Sequence, residues 1–334
     1  MRILHVIPGL DEVGNGISVA ARLIANEQRA DLVEARLFAR GKCDASQYDE
    51  VWVHSAWSPM VLRSCRRVLK LGKRLVRMAH ANYDPVRLRY HGWKKTLAGP
   101  IERFFLRRAK TLVATCEAEK GWIESYLGRR CPPIELTDIK RFFNLNPVNP
   151  VNPVKKDLHL LYLGRRHPLK GLSYLETALA TYYNKWSSAP SSLAPTTACA
   201  DNPSSNPSRK AATYYNKCPI EFRVVSDAFG DELERVWDWC DVLVLPTLSE
   251  NFGLVIAEAL ERGKCVITTD GAPAWGENLS RVERVDGGMW SGYGGRLIYL
   301  KGYRDGTPED RVRLLKSAIE NLLSRASLTP PAAK

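Results

Sequence analysis

Residues 243–275 read LVLPTLSENFGLVIAEALERGKCVITTDGAPAW. An apolar run ends at Pro246, a short loop follows, and an apolar segment of helical length extends to Gly263, where the next apolar run begins. This order predicts a buried strand, a helix near 252–262 and a second buried strand, which is a repeating unit of an open parallel α/β sheet. Ligands bind to such sheets beside the carboxyl ends of the strands, where this loop would lie.

The loop and the start of the predicted helix carry groups that suit a phosphate-bearing ligand. Unpaired backbone N–H groups at a helix start bind phosphate, and here they belong to Asn251, Phe252, Gly253 and Leu254. Gly253 would let the backbone approach the ligand closely. Glu250 stands just before the helix, and Glu258 lies two turns inside it in the apolar run LVIAEAL. A carboxylate beside a phosphate suits hydroxyl groups; the alternative is that Glu250 only favours the helix dipole and that Glu258 is solvated.

Residues 161–172, LYLGRRHPLKGL, form a second candidate site. A predicted strand ends before Gly164–Arg165, and Lys170–Gly171 opens a helix, so that two cations lie near one strand end. Arg165 can bind a diphosphate with its forked guanidinium group, and Lys170 can bind it as a point charge. Taken alone, both side chains could equally be solvated loop residues.

Two weaker candidates lie in the first 80 residues. The loop 8–18, PGLDEVGNGIS, places Gly14 and Gly16 just before a predicted helix, where backbone N–H groups can face an anion. Val19 stands where the dinucleotide fingerprint has its third glycine, so nicotinamide or flavin binding is disfavoured, and a plain tight turn is the alternative. His80 follows a predicted strand, where it is either a site residue or a hydrogen-bonded loop histidine.

The rest of the chain continues the alternation of strands and helices. Strands are predicted at 3–7, 33–38, 51–54, 75–79, 112–115, 158–163, 220–225, 242–245 and 266–269. Helices are predicted near 17–29, 59–71, 93–109, 117–126, 171–184, 230–239, 252–262 and 308–325. We therefore expect two doubly wound, Rossmann-like parallel-sheet domains. Their predicted bounds are 1–145 and 157–325, with a Pro-rich linker at 146–156, a disordered insertion rich in Ser, Pro, Ala and Asn at 185–217, and a tail at 326–334.

The composition excludes several classes of protein. The longest apolar runs are far shorter than the ~18 residues of a membrane-spanning helix, and the start MRILHVIP predicts a first strand rather than a signal peptide. The eight cysteines contain no C-x-x-C pair, which favours reduced thiols over a zinc site or a disulfide framework. We expect a cytoplasmic protein that uses no metal ion and no bound cofactor.

The positive charge is concentrated in one segment. The formal net charge of the chain is +13, and residues 63–110 contain 15 Lys and Arg against two acids. Around 59–71 and 87–110 the cations alternate with apolar residues, which predicts a basic amphipathic surface that attracts anionic lipids at the inner face of the membrane. Ordinary solvated helix faces are an equal alternative. No recognised motif for nucleic acid accompanies the charge, so a nucleic acid partner is not expected.

Taken together, these motifs resemble those of the family-four retaining glycosyltransferases. The resemblance covers nearly the whole chain apart from 185–217. It rests on the Glu250-x7-Glu258 element, on Gly164-Arg165-x4-Lys170-Gly171, on the early Gly14–Gly16 loop, on the strand-end His80 and on GAPAW at 271–275. The resemblance implies the GT-B fold, in which two Rossmann-like domains face each other across a cleft.

The resemblance also implies a role for each motif. A nucleoside-diphosphate sugar would bind in the carboxyl-terminal domain, and a glycan or lipid-linked acceptor would bind across the cleft. Glu250 would bind the donor sugar and Glu258 the ribose, while Arg165 and Lys170 would hold the diphosphate and stabilise the charge on the leaving group. The backbone at 14–16 and 251–254 would add phosphate contacts, and His80 would contact the transferred sugar or the acceptor. The implied activity is transfer of a hexose-type sugar in the synthesis of bacterial surface polysaccharide or lipopolysaccharide.

Two departures from the family pattern keep other interpretations open. The segment 226–240 is shorter than usual, and NPV repeats replace the usual Asn-Gly turn before the linker. A non-catalytic GT-B-like protein that binds glycans or partners is therefore an alternative. A GT-B-fold epimerase is a second alternative, which the spacing of the paired Glu and Arg/Lys residues disfavours.

Overall fold

The strands of the protein form two sheets, one from each half of the chain. The computed structural model describes residues 1–12, 14–90, 92–145, 158–186, 220–276, 279, 284–285, 289–293 and 296–328. Helices pack against both sheets. The architecture is therefore the two-part α/β arrangement that the alternation of elements predicts.

The sheet of the amino-terminal half is parallel throughout and has the order β2-β1-β3-β4-β5-β6. Its strands are β1 Ile3–Ile7, β2 Asp31–Glu34, β3 Glu50–His54, β4 Arg74–Met78, β5 Thr111–Ala114 and β6 Ile134–Leu136. Its helices are α1 Gly16–Gln28, α2 Ala35–Ala39, α3 Pro59–Lys70, α4 Pro85–Arg89, α5 Gly92–Leu106 and α6 Glu117–Leu127. Since β2 and β3 lie on opposite sides of β1, the strand order reverses between β1 and β3.

The sheet of the carboxyl-terminal half has the order β11-β12-β13-β10-β9-β7-β8. Its strands are β7 Leu158–Leu163, β8 Ile220–Val225, β9 Val242–Leu245, β10 Cys265–Thr269, β11 Arg284–Val285, β12 Met289–Gly292 and β13 Leu297–Leu300. Its helices are α7 Leu172–Trp186, α8 Asp231–Trp239, α9 Leu254–Glu261, α10 Pro273–Gly276 and α11 Pro308–Leu328. The order again reverses after the first strand, between β7 and β9. Near one edge, β12 runs antiparallel to both of its neighbours, β11 and β13, a feature that the sequence analysis missed.

One predicted strand is half wrong. The chain leaves the strand predicted at 33–38 after Glu34, whose carboxylate caps α2 by accepting a hydrogen bond from the Arg36 N–H. Ala35 and Phe38, one helical turn apart, are both fully buried. A short apolar run does not distinguish strand from helix, and the capping carboxylate decided between them here.

Several predictions fall on parts of the chain that the structure does not describe. The predicted linker 146–156 lies outside the described residues, as do 187–217 of the predicted insertion and 329–334 of the predicted tail. Residues 185–186 are the end of α7, and 326–328 are the end of α11.

The two halves contact each other through the carboxyl ends of their sheets. One apolar cluster contains residues from both, and the ring of Phe143 stacks on that of Phe252 with centroids 6.2 Å apart. Beyond β5, the Thr115 hydroxyl lies 3.1 Å from the Asn251 side chain in the loop after β9. Residues that follow strands in one half therefore meet residues that follow strands in the other.

Gly171 fixes how closely the loop after β7 approaches the end of β9. Its φ is +68°, and a Cβ atom at this position would lie 1.9 Å from the Pro246 carbonyl oxygen. We expect Gly171→Ala to destabilise the protein by roughly 3 kcal/mol or more, because left-handed backbone alone costs about 1–2 kcal/mol and the clash adds to that. Chemical denaturation measures the loss.

Gly72→Ala is the matched control for this prediction. Gly72 has a similar φ of +64°, but no atom of the described residues beyond its own chain neighbours lies within 4 Å of the position of its Cβ. The control should cost only about 1–2 kcal/mol, the penalty of the left-handed conformation. Equal losses in the two variants would show that the close approach at Gly171 carries no constraint.

Candidate active site

The candidate active site lies where the carboxyl ends of the two sheets meet. Gly14 and Gly16 follow β1, Arg165 and Lys170 follow β7, and Glu250 follows β9. The loops after β1, β7 and β9 flank the points where strand order reverses in each sheet. Ligands bind to open α/β sheets in the crevice at these points.

Lys170 and Glu250 form an ion pair at the centre of this region. Their side chains are only 18% and 14% exposed, although 80 residues separate them in sequence. Burial raises the pKa of Glu250, but Lys170, Arg87 and the hydrogen bonds to the carboxylate outweigh burial and hold the pKa below its usual value. The structure thus brings together two predicted site residues as a charged pair in a largely dehydrated place.

The helix after this pair begins later than predicted. The start of α9 is Leu254 rather than a residue near Phe252, and Gly253 precedes it with a φ of +73°. The Asn251 N–H, predicted to be unpaired, donates to the Glu250 carboxylate at 3.2 Å. Phe252 is buried, and its carbonyl accepts a hydrogen bond from the Trp275 indole. Asn251 and Phe252 therefore position the loop, and the helix start itself lies at Gly253 and Leu254.

The early glycine loop faces this helix start from the other half of the protein. A Cβ atom on Gly16 would lie 3.7 Å from the Leu254 side chain, and one on Gly14 would lie 3.2 Å from the ring of Phe229. Asn15, between them, caps α1 by accepting a hydrogen bond from the Ile17 N–H. Both predicted glycines thus border the site, with their backbone close to the opposite half.

His80 contacts the same loop from the end of β4. It is buried, its φ is +55°, and its Nδ1 lies 3.2 Å from Nδ2 of Asn251. Its Nε2 is hydrogen-bonded to His54, which is bonded in turn to His5. The predicted strand-end histidine is therefore at the contact between the halves, next to the residue that follows Glu250.

Arg165 and Glu258 stand apart from the ion pair. The side chain of Arg165 is exposed, and its carbonyl accepts a hydrogen bond from the Tyr162 hydroxyl. Glu258 is half-buried on α9, and burial raises its pKa. Among the hydrogen bonds of the described residues, none joins either side chain to Lys170 or Glu250. The structure therefore does not bring these two predicted residues into contact with the central pair.

A second charged cluster was missed by the sequence analysis. Asp84 is fully buried and bonds both Ser249 and Arg304, which belong to the opposite half. Arg87 donates to the Ser249 hydroxyl at 2.9 Å and lies close enough to Glu250 to lower its pKa. The only sequence signal was the segment NYDP at 82–85, shortly after His80, where Asp84 caps α4.

No metal centre is found in the part of the chain that the structure describes. There, no three His, Cys, Asp or Glu side chains come together in a group that could hold a metal ion.

The buried histidines make stability depend on pH. Burial lowers the pKa of His5 to about 4 and that of His80 to about 3, and it lowers the pKa of His54 well below the usual 6.5. In the unfolded chain all three would titrate near 6.5, so at lower pH the unfolded state binds more protons than the folded state. Stability is therefore greatest above pH 6.5 and is lost as the pH falls towards 4.

We expect a smaller free energy of unfolding at pH 5 than at pH 7.5, measured with urea. The loss should be at most about 1.4 kcal/mol per pH unit for each buried histidine. His54→Phe should reduce the slope by one histidine's share, because one of the three groups no longer titrates. An unchanged slope in that variant would contradict the assignment of the pH dependence to these residues.

Family models match both halves of the chain. Residues 157–286 match the model described as glycosyl transferases group 1, and residues 8–137 match the glycosyl transferase 4-like domain. No curated protein sequence matches the chain significantly.

Solved structures share the fold at low sequence identity. Sucrose-phosphate synthase from Thermosynechococcus elongatus has a TM-score of 0.61 at 14% identity, and the match covers 98% of this chain and 90% of that one. The UDP-forming α,α-trehalose-phosphate synthase from Burkholderia xenovorans, in complex with glucose-6-phosphate, has a TM-score of 0.55 at 11% identity and coverages of 98% and 95%. The E. coli trehalose-6-phosphate protein bound with UDP-2-fluoro glucose has a TM-score of 0.53 at 11% identity, and the match covers 98% of this chain and 94% of that one.

The predicted fold and family are both confirmed by these matches. The two family models together cover well over half of the 334 residues, and the two sheets align with those of the solved structures over nearly the whole chain. The chain therefore belongs to the group 1 glycosyltransferases and has their GT-B fold.

Proposed function

We propose that this glycosyltransferase moves a hexose-type sugar, with retention of configuration, from a nucleoside-diphosphate sugar to a glycan or lipid-linked acceptor. The observation that carries the proposal is the half-buried Lys170–Glu250 pair beside the start of α9, with the Gly14–Gly16 loop opposite. A cation, a carboxylate and a helix start are three groups that suit a phosphate joined to a sugar. We expect the donor to bind without a metal ion.

Lys170 would change partners when the donor binds. In the structure its charge is balanced by Glu250. A diphosphate would take over the ammonium group, and the released carboxylate would accept hydrogen bonds from the sugar hydroxyls. As the leaving group departs, Lys170 would stabilise the negative charge that develops on it. Arg165, exposed at the edge, would close on the same phosphates, and Glu258 would bind the ribose.

Arg87 supplies a third cation that the donor would meet. It reaches the loop after β9 from the amino-terminal half, where it bonds Ser249. Because it lowers the pKa of Glu250 together with Lys170, its charge acts on the same carboxylate. We therefore add Arg87 to the residues that would bind the anionic donor.

We expect Lys170→Ala and Glu250→Ala each to reduce transfer by two orders of magnitude or more, measured with a panel of UDP-, GDP- and ADP-sugars. Nucleotide binding should separate their roles. Lys170→Ala should weaken the binding of the free nucleoside diphosphate at least tenfold in calorimetry. Glu250→Ala should bind it as well as the parent protein or better, because Lys170 loses its competing partner.

Arg166→Ala is the control for these variants. Arg166 follows Arg165, its side chain is 63% exposed, and its ion pair to Glu176 is 4.0 Å long. It should leave transfer unchanged. Absence of specific binding to any nucleotide of the panel would favour the non-catalytic alternative. Normal transfer by the Glu250 variant would contradict the proposed role of the carboxylate.

We also propose that the acceptor is used at an anionic membrane surface, as in the synthesis of surface polysaccharide or lipopolysaccharide. Support comes from α5, where Leu97, Ile101 and Phe104 are 73%, 51% and 47% exposed. Their spacing of four and three residues places them along one face of the helix. Arg107 and Arg108 follow this apolar stripe, and they also line a cavity of about 760 Å³.

For the apolar part of the proposed membrane surface, α5 gives better support than the segment 59–71. On α3, the apolar residues Val61, Cys65 and Val68 are buried in the core, and the exposed large apolar residue of the segment 59–71 is Leu71, which follows the helix and is 43% exposed. The apolar part of the proposed membrane surface is therefore the stripe on α5. No described helix has both the length and the apolar character of a membrane span.

We expect the protein to sediment with vesicles of phosphatidylglycerol and phosphatidylcholine but not with pure phosphatidylcholine. Replacing Leu97, Ile101 and Phe104 together with Ser should weaken this binding about tenfold or more, because apolar contact with the acyl region is lost. Leu136→Ser is the control, since Leu136 is also 47% exposed but lies on β6. Equal binding by the triple variant and the control would exclude α5 as the membrane contact.

A further inference from the structure

A continuous chain of hydrogen bonds runs through the interior of the amino-terminal half to the candidate site. Gln28 is the last residue of α1, and its Oε1 lies 2.8 Å from His5 Nε2. His5 Nδ1 lies 2.9 Å from His54 Nε2, and His54 Nδ1 lies 2.9 Å from His80 Nε2. His80 Nδ1 lies 3.2 Å from Nδ2 of Asn251, next to Glu250.

The register of the sheet builds this chain. His5 on β1 pairs with Trp52 on β3, and His54, two residues further along β3, pairs with Met78 on β4. His80 lies two residues beyond Met78. Because alternate residues of a strand point to the same face, His5, His54 and Met78 share one face of the sheet. His80 lies in the turn beyond β4, and its hydrogen bond to His54 continues the row towards the carboxyl edge. Adjacent rings have centroids 5.1 and 5.2 Å apart.

The chain of hydrogen bonds fixes which nitrogen of each ring carries the proton. All three histidines are buried, at 0%, 0% and 2% exposure, and burial keeps them neutral. A neutral imidazole has one donor and one acceptor nitrogen. Since both nitrogens of each ring are hydrogen-bonded, the three rings must adopt the same tautomer. Only two proton orders satisfy the chain, with all protons on Nε2 or all on Nδ1.

The two ends of the chain agree on one of these orders. At one end the Gln28 carbonyl oxygen faces His5 Nε2, which requires a proton on that nitrogen. At the other end the amide nitrogen of Asn251 faces His80 Nδ1, which requires a lone pair there. Both requirements are met when each histidine carries its proton on Nε2. His80 then presents an acceptor atom to the opposite half of the protein.

We propose that His5 and His54 are positioning residues, which hold His80 in the Nε2–H tautomer with Nδ1 as an acceptor towards the bound sugar. This inference rests on the proposed function, in which His80 contacts the transferred sugar or the acceptor. A sugar hydroxyl would donate to Nδ1 where Asn251 does in the structure.

Simple packing does not account for this arrangement. The buried face of a parallel sheet is ordinarily apolar, and three desolvated imidazoles add no stability that apolar side chains would not supply. What the hydrogen bonds add is a single ring orientation and a single tautomer at His80. With a lone pair at Nδ1, His80 can only accept from a sugar hydroxyl, so the tautomer sets the direction of that hydrogen bond.

The proton order can be measured directly in the full-length protein. The protein contains six histidines, so long-range ¹H–¹⁵N spectra of protein labelled at histidine can be assigned by substitution. At pH 7.5 we expect His5, His54 and His80 all to show the neutral Nε2–H tautomer. A charged ring or a mixture of tautomers among these three would overturn the proposal.

A variant tests whether the chain acts on His80. In His54→Phe, we expect the His80 signals to change to a mixture of tautomers. The kcat for transfer should fall at least tenfold, while the KM for the donor should change less than threefold. Met78→Leu is the matched control, because Met78 pairs with His54 in the sheet and this swap conserves volume. It should leave both the spectrum and the kcat unchanged.

Gln28→Met provides a second variant in case His54→Phe does not fold. It removes only the far end of the chain, at a half-buried position, and should still loosen the tautomer of His80. An unchanged His80 tautomer in both folded variants would overturn the inference. The spectra are recorded without a sugar donor, so they test the effect of the hydrogen-bond chain on His80 even if the parent protein transfers no sugar. Absent transfer would count against the proposed function alone.

Discussion

The pairing of Lys170 with Glu250 in a largely dehydrated place is the interaction on which the site depends. Removing two charges from water is costly, and their mutual attraction offsets this cost only while both remain paired. Arg87 adds positive charge from the opposite half and keeps the carboxylate ionised. Such a pair is stable without a ligand, and it can be exchanged for an anion and a set of hydroxyl groups. A diphosphate sugar offers both.

Polar contacts join the two halves around this pair. Asp84 binds Ser249 and Arg304 across the boundary, and His80 meets Asn251 there. Polar groups of this kind can exchange their hydrogen bonds for bonds to water or to a ligand. The boundary between the halves is thus suited to admit a substrate. The buried histidines behind it keep one of its polar atoms in a fixed orientation.

The basic segment shows how a charge pattern in sequence can mislead. Part of the charge between residues 63 and 110 is used within the fold: Arg67 binds backbone carbonyls, Arg77 pairs with buried Glu102, and Arg103 binds a carbonyl at the end of α6. These partners are distant in sequence, so composition could not separate structural cations from surface cations. The apolar stripe on α5 emerged only from side-chain exposure.

The sequence by itself determined the class of fold, the positions of most strands and helices, and the two motifs that carry Lys170 and Glu250, because these depend on local periodicity, capping and turn residues. It failed where local signals were equal, as at 33–38. Only the tertiary structure decided which motifs meet: strand order and register bring Arg87, Asp84 and the three histidines to the site and leave Arg165 and Glu258 apart from the ion pair. Register is a relation between strands distant in the chain, and therefore no local pattern encodes it.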